Sequence, residues 1–355
     1  MKTSKYLVFK MNNQILIKDI QQFAETFELW KQLQGKTFLV TGATGLIGSI
    51  LIKCLLELNR QKDLDIRVVA VVRDIEKAKM VFEKDFSQIE FKLIALADIS
   101  NDNIGTDIDY IIHLASPTAS KYFIDHPVET LRTSIEGTTT VLDYAKMAKI
   151  ESMVFASSLE VYGTNVDDRQ IDESFQGYVN PLDVRSSYNM GKRAAESLCH
   201  AYTKEYGVPT KIARLTQTTG AGIAKDDNRI IAQFARLTAE GKDIILHTTG
   251  EAARPYCYTT DAVSALLYIL LKGEDGEAYN VANEDTYISA RGMAEYLKKN
   301  FNSDIDVRVE LNDNMGYAPA TKLQLSSDKL RELGWKPRYQ LYDIFDNLIK
   351  SMAVI

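Results

Sequence analysis

Val40-Thr41-Gly42-Ala43-Thr44-Gly45-Leu46-Ile47-Gly48 is the stretch whose reading decides the fold. Ahead of it, Thr37-Phe38-Leu39-Val40 has the apolar run of a buried strand. Behind it, Ser49 to Leu56 has the apolar spacing of a helix. A strand, a glycine turn and a helix in that order make a cradle for a dinucleotide diphosphate. Gly42, Gly45 and Gly48 let the backbone approach the phosphates, with Thr44, Leu46 and Ile47 in the same turn. The helix N-terminus presents its free N–H groups to the negative charge. The alternative is a structural turn that holds no ligand.

The wider sequence agrees with a soluble α/β protein. The chain has 355 residues, enough for one large α/β domain or two intimate ones. Apolar content is 45% and charged content 25%, and the net charge of −6 gives no basic field for nucleic acid. Cys54, Cys199 and Cys257 lie far apart without a CxxC, which reads as reduced thiols in a cytoplasmic protein. No apolar run is long enough to span a membrane, and no metal site is expected. The predicted architecture is α/β: a doubly wound parallel sheet of the Rossmann kind with a smaller C-terminal α/β substrate domain. Residues 1–34 form an N-terminal helical extension, 35–215 the NAD(P)-binding domain and 216–355 the substrate domain, with roughly 253–285 returning to the main sheet. Within the extension, Asp19 through Leu33 places Ile20, Phe23, Phe27 and Trp30 on one helical face, so a helix packed on the outside of the domain is expected.

Further strands are expected at Arg67–Val72, Phe91–Leu96 and Tyr110 onward. The second strand ends in Arg73-Asp74. An NAD enzyme usually carries an acid there for the ribose hydroxyls, whereas an arginine suits a 2′-phosphate. Arg73 therefore tilts the cofactor toward NADP(H). In the alternative, NAD(H), Arg73 stacks on adenine and Asp74 takes the ribose. Asp98-Ile99 is placed at the adenine edge, and Leu114-Ala115-Ser116 beside the nicotinamide ribose. His113 reads as a packed strand histidine. A long helix is expected from Pro127 to about Lys149, burying Leu131, Ile135, Val141, Leu142 and Ala145.

Chemistry enters at Ser157-Ser158-Leu159-Glu160, a strand exit, and at Ser187-Tyr188-Asn189-Met190-Gly191-Lys192. Tyr188 and Lys192 are four residues apart and share a helical face. A lysine ammonium beside a phenol stabilises the phenolate and lowers its pKa. A tyrosine tuned in this way exchanges a proton with a substrate hydroxyl while a nicotinamide takes the hydride. A tyrosine–lysine pair alone is more often a solvated helix face; its place after the glycine turn and the serine strand exit gives it meaning.

Together, Thr41 to Gly48, Ser158, Tyr188 and Lys192 resemble an extended short-chain dehydrogenase/reductase of the nucleotide-sugar epimerase/dehydratase type. The resemblance covers nearly everything after residue 35, including Tyr279-Asn280-Val281-Ala282-Asn283 and Leu330 to Pro337. The middle of the chain is similar to UDP-glucuronate decarboxylases in His113-Leu114-Ala115-Ser116-Pro117, Glu160-Val161-Tyr162-Gly163, Asn180-Pro181, Arg185, Gly191-Lys192-Arg193, Glu196 and Arg229. The resemblance implies Tyr188 as acid/base, Lys192 as its tuner and ribose contact, and Ser158 as donor to the reacting oxygen. Glu160 is implied as an acid, base or hydroxyl acceptor, or as a carboxylate that orients its loop. In such enzymes NAD stays bound, C4 of the sugar is oxidised, and the hydride returns.

Departures from the pattern bear on the substrate. Gln217 stands where the family has asparagine, Ala221-Gly222-Ile223 where the decarboxylases have Pro-Arg-Met, and Ser134 where a helix asparagine is usual. Leu159 replaces the aspartate that protonates the leaving hydroxyl in 4,6-dehydratases, so dehydration is disfavoured. Arg229 and Arg254 are expected to grip the diphosphate, with Lys225 and Arg236 as solvated charges. Tyr258 and Asp261 should anchor the returning strand and helix, and the turn from Asp313 to Lys322 should close over the base or sugar. The expected partner is a nucleotide sugar, and a homodimer through helices 127–149 and 186–206 is implied by the resemblance. Two outcomes stay open beside the epimerase- or decarboxylase-like cycle. One is an NADPH-dependent reductase of a CDP- or UDP-linked keto sugar or ketose; the other is a non-catalytic dinucleotide sensor.

Overall fold

The protein is described by a computed structural model that covers residues 14–165, 167–224, 226–312 and 321–353. The opening strand β1 (Thr37–Thr41) is buried at every position. Its side chains alternate between two cores: Phe38 and Val40 join one cluster, and Leu39 joins the other. The same alternation runs through β2 (Arg67–Val72), where Val68, Ala70 and Val72 face one core and Val69 and Val71 the other. A strand buried on both faces sits inside a sheet covered by helices on both sides. Five more strands complete a seven-stranded sheet: β3 (Glu90–Leu93), β4 (Tyr110–His113), β5 (Ser152–Ser158), β7 (Thr210–Leu215) and β11 (Ala278–Val281). Their order is β11-β7-β5-β4-β1-β2-β3, and every neighbouring pair is parallel. The strand order reverses between β1 and β4, which opens a crevice at the carboxyl ends of those strands.

One face carries α1 (Gln14–Thr26), α2 (Leu46–Lys62), α3 (Ile75–Phe82) and α9 (Thr259–Lys272). The other carries α4 (Asn101–Ile104), α6 (Pro127–Ala148) and α7 (Ser186–Tyr206), with α5 (Ser120–Asp125) leading into α6. The remaining strands form small sheets. β8 (Gln217–Thr219), β10 (Ala253–Tyr258) and β12 (Asn283–Ser289) make one; β9 (Ile244–Leu246) pairs with β13 (Val307–Val309), and β6 (Gln170–Ile171) with β14 (Gln324–Leu325). A third core packs α8 (Ile230–Ala239), α10 (Ala290–Asn300) and α12 (Leu341–Ala353) around Phe234, Leu297 and Phe345, and α11 (Asp328–Glu332) lies against β11.

Several expectations are corrected. The extension is not one helix over Asp19–Leu33. It is α1, ending at Thr26, followed by a short 3-10 turn at Trp30–Leu33. The apolar stripe continues through the break because Phe27 still packs edge-on against Tyr268. The third strand stops at Leu93 rather than Leu96, and Leu96–Asp98 turns as a 3-10 helix. On α6, Val141, Leu142 and Ala145 are buried, but Leu131 and Ile135 are only half-buried. Small polar residues, Thr130, Ser134 and Thr138, fill that stretch of the interface with α7. Lys225 and the Gly-Tyr-Ala-Pro part of the Asp313–Lys322 turn lie outside the described residues. No described helix is long and apolar enough to cross a membrane.

Candidate active site

The glycine turn is set by backbone contacts. Gly42 has φ +68, and a Cβ there would lie 2.8 Å from the Ala115 nitrogen. A Cβ at Gly48 would collide with the Gly42 carbonyl, whereas one at Gly45 would stand 3.2 Å from it. Thr41 Oγ1 accepts the Ala115 amide at 3.2 Å and pairs with His113 Nδ1 at 2.6 Å. These bonds hold Leu114, Ala115 and Ser116, just past β4, against the turn. Gly45 is the N-cap of α2 and contributes no capping side chain, so the first-turn N–H groups are left for a ligand. A crevice with this backbone, close-packed at glycines and uncapped at the helix end, fits a dinucleotide diphosphate.

Around the crevice, Arg73 is exposed past β2, while Asp74 caps α3 by accepting the Lys77 amide at 3.0 Å. Asp98 is exposed on its 3-10 turn and Ile99 is buried below it. His113 is buried, bonded on both ring nitrogens to Thr41 and Thr138, and pushed down to about 3 by burial. It is a neutral packing residue, as its strand position suggests.

The strand exit at β5 and the start of α7 meet beside this crevice. Ser158 caps a 3-10 turn at Leu159–Tyr162, its Oγ accepting the Glu160 amide at 3.2 Å. The Tyr188 ring stacks on Phe123 of α5 with centroids 4.3 Å apart. Burial pushes the Tyr188 phenol up to about 12; a hydrogen bond from the Ser158 side chain opposes this and the Glu160 charge adds to it. Lys192 is 4% exposed. Its Nζ donates to the Ala156 carbonyl at 2.7 Å and stands 5.8 Å from the Tyr188 ring centroid. Desolvation lowers its pKa to about 8.

The structure thus brings Ser158, Tyr188 and Lys192 together, but the expected lowering of the phenol pKa by Lys192 is absent. The ammonium is turned to the Ala156 carbonyl, and desolvation of the phenol dominates. Glu160 is half-buried and tied to α7: Asn189 Nδ2 donates to its carbonyl at 2.7 Å and to its Oε2 at 3.3 Å. Leu159 is buried in an apolar cluster with Val161, Ile171 and Leu325, so nothing at that position can donate a proton.

One supporting network was not read from the sequence. Glu196, one helical turn beyond Lys192, takes Arg214 of β7 at 2.7 Å and Ser157 Oγ at 2.5 Å. Arg214 also donates to Tyr162 Oη at 3.1 Å, and Tyr162 donates to Asn280 at 2.6 Å. This buried chain fixes α7 against β5, β7 and β11. In the sequence Glu196, Tyr162 and Asn280 appear only as separate matches to the family pattern, with nothing to show that they meet. A cavity of about 570 Å³ borders this network on the side of His200, Glu277 and Lys329, away from Tyr188. Its charged side chains already pair within the protein, so it adds nothing to the chemistry.

On the substrate side, Gln217 lies in β8 opposite Tyr256 of β10 and is half-buried. Arg229 does not stand free. Its guanidinium holds Asp227 at 2.7 Å and the Thr218 carbonyl at 2.6 Å. Arg254 is half-buried and has no side-chain hydrogen bond among the described residues. Arg236, expected as a solvated charge, is half-buried and donates to the Asp227 carbonyl at 3.4 Å. Asp261 takes the Arg338 and Tyr339 amides at 3.0 and 3.1 Å, anchoring the start of α9. Among the described residues, no group of His, Cys, Asp or Glu side chains converges as a metal site.

Comparison with known proteins bears on the whole arrangement. The model of the NAD dependent epimerase/dehydratase family matches residues 38–282. UDP-glucuronic acid decarboxylase 3 of Arabidopsis thaliana is 30% identical over 303 residues, 85% of each chain. The UDP-glucose 4-epimerase of Thermotoga maritima, solved with UDP-glucose, superposes with a TM-score of 0.75 at 21% identity, covering 89% of this chain and 98% of that one. The UDP-glucuronic acid 4-epimerase of Bacillus cereus, solved with NAD, gives 0.71 at 22% identity over 89% and 99%.

Proposed function

The chain belongs to the NAD dependent epimerase/dehydratase family as an enzyme of the extended short-chain dehydrogenase/reductase type, and on that premise we propose that it oxidises a UDP-linked sugar at C4 and returns the hydride within one catalytic cycle. The observation that carries this reading is the convergence of Ser158, Tyr188 and Lys192 at the β5 exit, beside the glycine turn. A dinucleotide held at the glycine turn would supply the hydride acceptor and, when oxidised, a positive charge that favours the phenolate. Gly42, Gly45 and Gly48 seat its diphosphate, with Thr44, Leu46 and Ile47 alongside.

In the proposed roles, Tyr188 takes the proton from the sugar hydroxyl as the C–H bond yields its hydride, and gives that proton back on return. Ser158 donates a hydrogen bond to the same sugar oxygen. Lys192 would supply positive charge to the phenolate from its place 5.8 Å from the Tyr188 ring centroid, and would be the residue to contact a bound ribose. Glu160 orients the Ser158 turn through Asn189, and its charge favours the protonated phenol. Arg254 takes diphosphate oxygens, and Gln217 a further polar contact. Arg229 supports that loop through Asp227 and Thr218. Buried Leu159 argues against 4,6-dehydration. A homodimer through α6 and α7 accompanies this reading, supported by exposed Val128 and Met147 on α6.

One observation favours a second reading, a net NADPH-dependent reductase of a nucleotide-linked keto sugar. Arg73 is exposed past β2 while Asp74 is engaged as a helix cap, an arrangement that suits a 2′-phosphate. Releasing the nucleotide from denatured protein separates the two. Retained NAD, with turnover of UDP-glucuronate to an epimer or to a decarboxylated sugar, supports the internal cycle. An empty protein that prefers NADPH supports the reductase. Absence of binding to either dinucleotide overturns both.

A further inference from the structure

Helix α1 lies outside residues 38–282, where the family model matches, yet it is wired into the start of the substrate loop. Asp19 is 4% exposed and forms no ion pair among the described residues. Its carboxylate instead accepts two phenols: Tyr258 Oη at 2.5 Å and Tyr339 Oη at 3.0 Å. The two rings stack with centroids 4.0 Å apart. With its proton committed to Asp19, the Tyr258 oxygen is left to accept. It takes the Ala221 amide at 3.2 Å and Asn347 Nδ2 at 3.2 Å. A second contact from the same helix reaches the next residue. Gly222 holds φ +94, and Leu16 Cδ2 lies 3.0 Å from where a Cβ would be. The turn Gly220-Ala221-Gly222 is therefore fixed from one side by α1. Its downstream end is fixed by Arg229 on the Thr218 carbonyl.

We propose that α1 is a positioning element for the turn Gly220-Ala221-Gly222 at the start of the substrate side, in which Asp19, acting through Tyr258 on the Ala221 amide, and Leu16, against Gly222, hold the turn in the shape that receives the nucleotide sugar. This rests on the reading of residues 217–254 as the nucleotide-sugar side. Burial pushes the Asp19 carboxyl pKa up, and the two phenol bonds and the Lys18 charge oppose that shift. A helix that merely thickened the core would have no use for a buried carboxylate at this point; here the carboxylate is the acceptor that two buried phenols share.

The test uses the full chain with Asp19→Ala, Asp19→Asn and Tyr258→Phe. Hydrogen exchange is followed over peptides spanning 217–229, and affinities are measured separately for UDP and for the dinucleotide. Asp19→Ala and Tyr258→Phe are expected to speed exchange at Ala221 and its neighbours and to weaken UDP by about tenfold. Dinucleotide affinity should stay within about twofold of wild type, because the glycine turn is untouched. Asp19→Asn keeps one acceptor and should recover part of the loss. Phe27→Leu, which thins the packing at the other end of α1, should lower the melting temperature without changing UDP affinity. Unchanged exchange in both Asp19→Ala and Tyr258→Phe overturns the proposal, as does an equal loss of UDP and dinucleotide affinity. If wild type itself binds no UDP, the nucleotide-sugar reading fails, and exchange at Ala221 still decides whether α1 holds the loop.

Discussion

At the glycine turn close backbone contacts at Gly42 and Gly48 set the geometry; on the proposed substrate side, side-chain pairs do. Gly42 and Gly48 press against the Ala115 amide and the Gly42 carbonyl, groups that every sequence supplies and that cannot move aside. The substrate side is held by side-chain pairs, Arg229 with Asp227 and Tyr258 with Asp19, beside a half-buried Arg254 that has no side-chain hydrogen bond among the described residues. The first arrangement leaves no room for a side chain at Gly42 or Gly48. The second depends on which side chains pair, and any re-pairing on binding would enter substrate affinity. A shared cofactor and a variable sugar call for such a division, with the fixed part built from glycine spacing and the adaptable part from charged side chains.

The sharpest way to break this contrast is Gly48→Ala. Dinucleotide binding should vanish in a fluorescence titration with the reduced cofactor, because the added carbon meets backbone. Gly45→Ala, with its 3.2 Å clearance, should bind and lose only about 1 kcal/mol of stability. Wild-type binding by Gly48→Ala would show that the turn is adaptable after all. Next in size, Tyr188→Phe should lower kcat by about a thousandfold and leave dinucleotide affinity intact; a parallel loss of both would make Tyr188 part of the scaffold.

A third effect probes the rigid side through pH. His113 has its pKa held down to about 3 by burial, against an ordinary value of 6.5. Its unfolded form binds a proton first as pH falls below 6.5, so the stability associated with the neutral ring is present above 6.5 and is lost on acidification toward 3. Subtracting the unfolding curve of His113→Asn from wild type between pH 6 and pH 4 should leave a slope of about 1.4 kcal/mol per pH unit. A flat difference would mean that the ring is solvated. The smallest effects lie on the adaptable side. Arg254→Ala should weaken UDP by about tenfold. Asp227→Asn, which loosens the hold on Arg229, should change UDP affinity by only about threefold. An Asp227→Asn effect larger than that of Arg254→Ala would make Arg229 the principal phosphate ligand.

Much of this was legible in one dimension. The glycine spacing of residues 42–48, the alternating strands and the Tyr188–Lys192 pair are short-range patterns, fixed by the period of a strand or helix. The errors came where length and partner matter. The expected single helix over 19–33 ends at Thr26, and the Phe27 contact with Tyr268 carries the apolar stripe past it, so burial alone did not report where the helix stops. Local spacing could not show that Arg229, expected at the diphosphate, also pairs with Asp227, two residues upstream in sequence.

The sequence by itself determined the α/β architecture, the place of the dinucleotide crevice and the residue types at the β5 exit, because each follows from local spacing. Only the tertiary structure decided the rest. Asp19 meets Tyr258 across 239 residues, and Glu196 meets Arg214 across a helix and a strand. The Tyr188 phenol is shifted up rather than down. Desolvation and pairing depend on which segments close over a group, and that is a property of the packed chain rather than of neighbours along it.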